Sequence, residues 1–167
     1  TTQFNSREEL LAVIRFEMYK NNREIQELSD QSAICKELSN RLVEDLPEDL
    51  VTNAINDANV RLKDMLAKTG KTIESFSKER NLTEEELYED IKERTIQSLK
   101  EDSALAAYAD YKNYSLEPED YYRIIPGEDD EDKERKRKQI EREGHLEQMS
   151  DYALKAKALH EVMKNAM

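Results

Sequence analysis

The sequence predicts an all-α protein for three reasons: apolar residues recur at helical spacing, glycine and proline are scarce, and no segment alternates as a β-strand does. The chain has 167 residues with only three Gly and three Pro. Hydrophobic residues make up 37% and charged residues 38% of the total. Because a compact globular domain is usually more apolar, we expect a single elongated helical domain over residues 1–167 with a high ratio of surface to core.

The first predicted helix is the longest and spans Ser6 to Glu44. Ser6 and Glu9 have the spacing of a capping box at its start. One apolar stripe runs along it at steps of three, four or seven, and its members are Leu11, Ile14, Met18, Ile25, Leu28, Cys35, Leu38 and Leu42. About 39 helical residues give a rod of roughly 60 Å. Such a rod is either a coiled-coil strand or the spine of an elongated helical body.

Proline and glycine delimit the next two helices. Pro47 suits the first turn of a second helix, which should end at Gly70. A short helix is expected from Thr72 to Arg80. The intervening Asp45-Leu46-Pro47 segment breaks the chain because the residue before a proline is pushed out of the α region.

The segment from Leu82 to Leu87 contains the strongest local signal for a helix start. Thr83 and Glu86 form a second capping box, and Leu82 can pack on Leu87 as a hydrophobic staple. The helix that begins there should run to about Asn113.

The C-terminal third is predicted to contain two helices separated by a charged run. A short helix starts within Ser115–Glu119, with Pro118 at its first position, and ends near Pro126-Gly127. Residues 128–143 hold eight acidic and six basic side chains, which is typical of a solvated helix or an exposed linker. The last helix is expected from Leu146 to about Asn165.

Charge and cysteine content limit the partners and the compartment. A net charge of −12 argues against nucleic acid and anionic membranes, since both attract basic surfaces. Neither a signal peptide nor a run of 18 apolar residues is visible, and the single Cys35 favours a reducing compartment. We therefore expect a cytoplasmic location. Because Thr1 stands where an initiating Met would, we expect a processed product or an excised piece.

No residue pattern typical of a catalytic or cofactor site is found. His145 and His160 belong to no ExxH or HExxH pair. A calcium loop starting at Asp130 would need glycine at its sixth position, where Arg135 stands. Cys35 lies in an apolar stripe, where burial would keep it unreactive. The prediction is a protein that is not an enzyme and has neither cofactor nor metal.

Tyrosine and methionine residues are better candidates for a functional role, as a binding surface, than the histidine, cysteine and acidic residues above. Both residue types adapt to irregular apolar partners. The candidates for binding exposed hydrophobic segments of other proteins are Met65, Leu66, Tyr108, Tyr111, Tyr114, Tyr121, Tyr122, Met149 and Met163. The alternative is that the same residues simply fill the helical core.

The order of these landmarks resembles the C-terminal domain of bacterial trigger factor, the ribosome-associated chaperone. The resemblance extends over essentially the whole chain and rests on four segments: Phe4 to Leu10 before the long helix, Asp45 to Val51, Gly70 to Phe76, and Leu82 to Leu87 before an Ala-rich last helix. The periplasmic chaperone SurA shares that helical architecture. The Leu-Pro-Glu hinge and the Gly-x-Thr segment are more similar to trigger factor.

This resemblance implies a helical body with two protruding arms that cradles unfolded or nascent polypeptide. The family's ribosome-docking and prolyl isomerase domains have no counterpart here, so ribosome contact would require an upstream domain. The function it implies is ATP-independent holdase activity. The residues alone also support a different class, a structural module that forms a homodimer through the helix over residues 6–44.

Overall fold

The computed structural model of the chain describes residues 7–166, with side chains described at residue 11 and from 15 to 165. Within these residues the fold is all-α, as predicted. The helices are α1 (Arg7–Ser39), α2 (Glu48–Lys68), α3 (Ile73–Glu79), α4 (Glu84–Lys112), α5 (Pro118–Tyr121), α6 (Asp130–Arg142) and α7 (Leu146–Ala166). The predicted capping box of Ser6 and Glu9 lies outside the described residues.

The helix boundaries around α2, α3 and α4 confirm the predicted stop and start signals. Gly70 has a φ of +66°, which terminates α2 in a conformation that glycine adopts without strain. The hydroxyl of Thr72 accepts the Ser75 N–H at the start of α3. At the start of α4, Thr83 and Glu86 form the reciprocal capping box. Asn113, with a left-handed φ of 53°, ends α4.

Two predicted helix ends were placed too far along the chain. The α1 helix ends at Ser39 rather than Glu44, because beyond it the N–H groups of Arg41 and Leu42 donate to carbonyls only three residues back, at 3.0 and 3.3 Å, and the helix gives way to turns. The α5 helix ends at Tyr121, and its last carbonyl accepts the N–H groups of Ile124 and Ile125 at 3.1 and 3.0 Å. Turns, not helix, therefore carry the chain from residue 122 to 125.

The charged run forms the helix α6 and not an open linker. Asp129 caps its start by accepting the Asp132 N–H at 2.8 Å, and no residue of α6 is buried. Ion pairs three or four residues apart, such as Arg137 with Glu134 at 2.8 Å, stabilise a helix that has almost no apolar side chains.

The other long helices pack along α4. The α1 helix is antiparallel to it, since Gln97 donates to the Ser39 hydroxyl at 3.0 Å while Cys35 packs further along, on the cluster of Leu105 and Ala109. The α7 helix is parallel to α4. Its Lys155 lies 3.2 Å from Asp102, and residue 158, further along α7, packs against Leu105 and Ala109.

The buried core is small and consists mainly of two clusters. One joins Leu105, Ala109 and Ala158 where α1, α4 and α7 meet. The other joins Tyr121, Ile125 and Ala153 between the α5 segment and α7. The accessible surface of 12,816 Å² is well above the about 8,600 Å² expected for a compact monomer of this mass. The fold therefore leaves much of its helical surface uncovered.

Candidate functional site

An open groove of about 460 Å³ runs between α2 and the middle of α4. It lies where α2 packs against α4. Its lining residues are Ala54, Asp57, Ala58, Arg61, Arg94, Thr95, Ser98, Leu99 and Asp102. We call this feature the α2–α4 groove.

The depth of the α2–α4 groove follows from small side chains on both walls. Ala54 and Ala58 are four residues apart and so lie on one face of α2. Thr95 and Ser98 face them from α4. The Thr95 hydroxyl already donates to the Ile91 carbonyl at 2.7 Å, so it needs no further partner. The floor can therefore accept an apolar guest without leaving this hydroxyl unsatisfied.

Two large apolar side chains extend the same row of α2 positions at the two ends of the groove. Leu50 precedes Ala54 by four residues, and Met65 follows Arg61 by four, so both lie on the groove side of α2. Leu50 is 44% and Met65 47% exposed. Together with Ala54, Ala58 and Leu99 they form an apolar strip along a groove whose other six lining residues are polar or charged.

Both signs of charge line the rims of the groove. Arg94 pairs with Asp90 at 2.8 Å, and Asp102 pairs with Lys155 of α7 at 3.2 Å. Burial alone lowers the pKa of the Lys155 ammonium, but Asp151 and Asp102 outweigh it and raise that pKa. Among the described residues, Asp57 and Arg61 have no ion-pair partner within 4.0 Å. Their charged groups remain available to a bound chain.

The predicted binding residues do not form a common surface. Met65 and Tyr111 are exposed, as a binding role requires. Leu66 is only 2% exposed and Tyr121 is buried, so both belong to the packing between the protein's own helices. The other five are half-buried: Tyr108, Tyr114, Tyr122, Met149 and Met163.

The tyrosines mainly hold elements of the protein together. Tyr108 and Tyr114 make an edge-to-face contact with ring centroids 6.3 Å apart. The Tyr121 hydroxyl lies 2.8 Å from Ser150 Oγ on α7, and Tyr122 donates to Glu134 of α6 at 3.1 Å. For these four residues the structure supports the core-filling alternative, because their rings contact other helices and turns of the chain.

Sequence reasoning missed the groove residues because a small side chain carries no signal by itself. The Ala54–Ala58 spacing was part of an ordinary helical pattern, and the facing Thr95 and Ser98 are distant in sequence. The sequence pattern also did not predict two exposed aromatic residues of α1, Phe16 and Tyr19. They lie off its apolar stripe and are 64% and 68% exposed.

The remaining polar clusters have structural explanations. Asp132 is held between Arg135 and Lys136, and Arg137 holds the pKa of the Glu134 carboxyl down to about 2. Burial, with help from Glu101 and Asp102, raises the pKa of the Cys35 thiol, as expected for an unreactive cysteine. In the described part of the chain, no group of three or more His, Cys, Asp or Glu is placed to hold a metal.

No helix within the described residues combines the length and apolar character needed to cross a membrane. Comparison of the chain with protein-family models, with curated proteins and with solved structures gives no match.

Proposed function

We propose that the chain is an ATP-independent holdase module that binds exposed hydrophobic segments of unfolded or nascent polypeptides in the α2–α4 groove. The observation that carries this proposal is an open groove with a small-residue floor and a large exposed apolar side chain at each end. An extended guest would place apolar side chains against Leu50, Leu99 and Met65, and Asp57 and Arg61 would meet whichever charges flank it.

The expected affinity is low and the expected selectivity broad. Burying about 400 Å² of apolar guest surface yields roughly 10 kcal/mol before costs are counted. Ordering a flexible guest and removing its translational freedom offset most of that gain. Adaptable Met65 at one end of the groove suits guests of varied shape.

The acidic surface fits the same role. A net charge of −12 keeps copies of the chain apart in solution while apolar surface remains exposed. Charge repulsion also opposes aggregation of the complexes that the module would form with unfolded guests.

The resemblance to the C-terminal domain of trigger factor supports this proposal. The helix starts and stops that carry the resemblance, at Pro47, Gly70 and Thr83, lie at real helix boundaries. On this proposal the module acts in the cytoplasm, its two protruding arms cradle the guest, and ribosome contact depends on a domain outside this chain. Isomerase activity would likewise belong to such a domain, so we expect no prolyl isomerisation by this chain alone.

The absence of tryptophan from the chain makes guest binding directly measurable. A permanently unfolded polypeptide that contains tryptophan would supply the whole indole emission signal in a titration. We expect a shift of that emission on adding the module, together with slower aggregation of an unrelated denatured protein. No shift and no protection at several-fold molar excess would contradict the proposal.

A further inference from the structure

The segment of α1 from residue 15 to 30 is not covered by other helices. Every side chain from residue 15 to 30 is exposed, and we call this segment the α1 overhang. The antiparallel register between Ser39 and Gln97 places the end of α4, at Lys112, beside about residue 24 of α1. Most of the overhang therefore projects beyond the helix that supports the rest of α1.

The apolar stripe of the α1 overhang repeats every seven residues. Leu11, Met18 and Ile25 are spaced by seven and take the a positions, and Leu28 takes the d position that follows Ile25, while the polar Asn21 takes the d position before it. Met18, Ile25 and Leu28 are 59%, 65% and 65% exposed. A seven-residue period is what pairing with another long helix requires, whereas binding of varied unfolded segments imposes no period.

The polar side chains of the α1 overhang are sorted by face. Intrahelical pairs join Arg23 to Glu27 at 3.0 Å and Gln26 to Asp30 at 2.8 Å. At 100° per residue these four lie opposite the stripe. The side chains that pair within the helix therefore lie away from the apolar seam.

The positions that flank the seam select the orientation of a partner helix. In heptad notation the g positions hold Glu17 and Glu24, and the e positions opposite them in a parallel pair hold Asn22 and Ser29. Each glutamate of a parallel pair then faces an uncharged side chain. In an antiparallel pair, the g positions of one helix lie opposite the g positions of the other. The glutamates then face each other and repel.

The rest of the protein leaves space for such a partner. The side of α1 that packs on α4 and α7 carries Cys35 and Leu38. On the helical wheel Met18 and Ile25 are rotated by roughly 80° to 160° from these two residues, whereas Leu28 lies within about 20° of Cys35. A second helix along the seam therefore meets no other helix at Met18, beyond the end of α4, and runs beside the last turn of α4 at Leu28, whose side chain is 65% exposed.

We propose that the α1 overhang pairs with the same segment of a second copy of this chain as a parallel, in-register coiled coil. The seam from Leu11 to Leu28 is about 27 Å long. It would bury on the order of 600–1,000 Å² in total, less than the about 1,600 Å² of a typical stable complex. The dimer is therefore weak and dependent on concentration.

Sedimentation velocity of the full chain from about 10 µM to 1 mM tests the pairing, with Ile25→Asp and Phe16→Asp as matched variants. The two residues are equally exposed, but Phe16 lies opposite the seam. We expect the wild type and Phe16→Asp to dimerise with rising concentration, and Ile25→Asp to stay monomeric. A monomeric wild type, or equal behaviour of the two variants, would overturn the proposal.

Disulfide trapping tests the orientation, in a Cys35→Ser background. A parallel, in-register pair brings each Leu28 beside its copy, so Leu28→Cys should cross-link on oxidation and Phe16→Cys should not. Equal cross-linking of both, or of neither, contradicts the parallel pairing. If the wild type is monomeric and Ile25→Asp instead weakens binding of an unfolded polypeptide, the stripe serves guests and the dimer is refuted.

Discussion

The two ends of α4 differ both in composition and in surroundings. Eleven of the nineteen residues from Glu84 to Asp102 are charged, but only two of the nine from Ala104 to Lys112 are. From Ala104 to Lys112 the helix lies among α1, α7 and the ring of Tyr114, and Ala104, Leu105 and Ala109 are buried. From Glu84 to Asp102, α2 and α3 pack on one side and the α2–α4 groove remains open. We call these the enclosed end and the open end of α4.

The difference shows that apolar spacing alone does not decide whether a residue becomes core or binding surface. Leu99 and Leu105 are both apolar residues of α4, about 120° apart around its axis, yet Leu99 lines the groove and Leu105 is buried. Leu105 packs in the cluster shared with α1 and α7, whereas Leu99 lies on the side that faces α2. Substitutions at the enclosed end should therefore cost stability, whereas those along the groove should cost binding.

A large stability loss is expected at the enclosed end. Leu105→Ala removes a side chain that is 7% exposed from the cluster with Ala109 and Ala158. We expect a loss of about 3 kcal/mol in the free energy of unfolding, because the cavity cannot fully collapse. Urea denaturation measures it, with the half-exposed Leu50→Ala as control at under about 1 kcal/mol. Equal losses in the two variants would remove the distinction between enclosed and open ends.

The next largest effect concerns the ion pair that joins α5 to α7. Lys157 of α7 donates to Asp120 at 2.7 Å and to the Ser115 carbonyl at 2.8 Å. Asp120→Asn leaves this half-buried ammonium without its counter-charge, at an expected cost of about 2 kcal/mol near neutral pH. The exposed Asp110→Asn is the control, with an expected change within about 0.5 kcal/mol.

The loss in Asp120→Asn should depend on pH in a defined direction. Burial alone raises the pKa of Asp120, but the Glu117 N–H and the Lys157 ammonium outweigh it and hold the pKa below its usual 3.8. A carboxyl with a lowered folded-state pKa stabilises the fold above its unfolded pKa and loses that contribution as pH falls through the folded value. The two proteins should therefore differ fully above about pH 5 and converge below 3.8. A difference that grows on acidification would contradict this assignment.

A smaller effect is expected where α4 begins, at its open end. Thr83→Ala removes the hydroxyl that accepts the Glu86 N–H at 3.1 Å, and we expect a loss of about 1 kcal/mol. Hydrogen exchange should speed up most in the first turns of α4 and least around Ala109. Thr52→Ala, on the exposed side of α2, should be neutral or slightly stabilising because alanine favours helix. A uniform rise in exchange along α4 would show that its two ends unfold together.

Local signals in the sequence were sufficient for most of the secondary structure. The Thr83–Glu86 box, the Gly70 stop and the Asn113 end all act within one helical turn, so the chain alone specifies them. The end of α1 was missed because no glycine or proline marks it: the chain passes into turns after Ser39, and the nearest helix-breaking residue is Pro47.

The binding surface was harder to predict because it depends on which helices are neighbours. Periodicity marks an apolar face but does not show whether another helix covers it. Leu66 and Met65 are adjacent in sequence, yet one is buried and the other exposed. The groove itself arises from Ala54, Ala58 and Ser98, whose small side chains gain significance only when two helices meet.

The most direct test of the proposed function compares Met65→Asp with Val60→Asp in the aggregation assay. Both residues lie on α2 and are similarly exposed, at 47% and 55%, but Val60 faces away from the groove. Each change should lower the free energy of unfolding by about 1 kcal/mol or less, which urea denaturation verifies. We predict that Met65→Asp loses most of the protection of a denatured protein while Val60→Asp keeps it. Equal protection by the two variants would contradict guest binding in the α2–α4 groove.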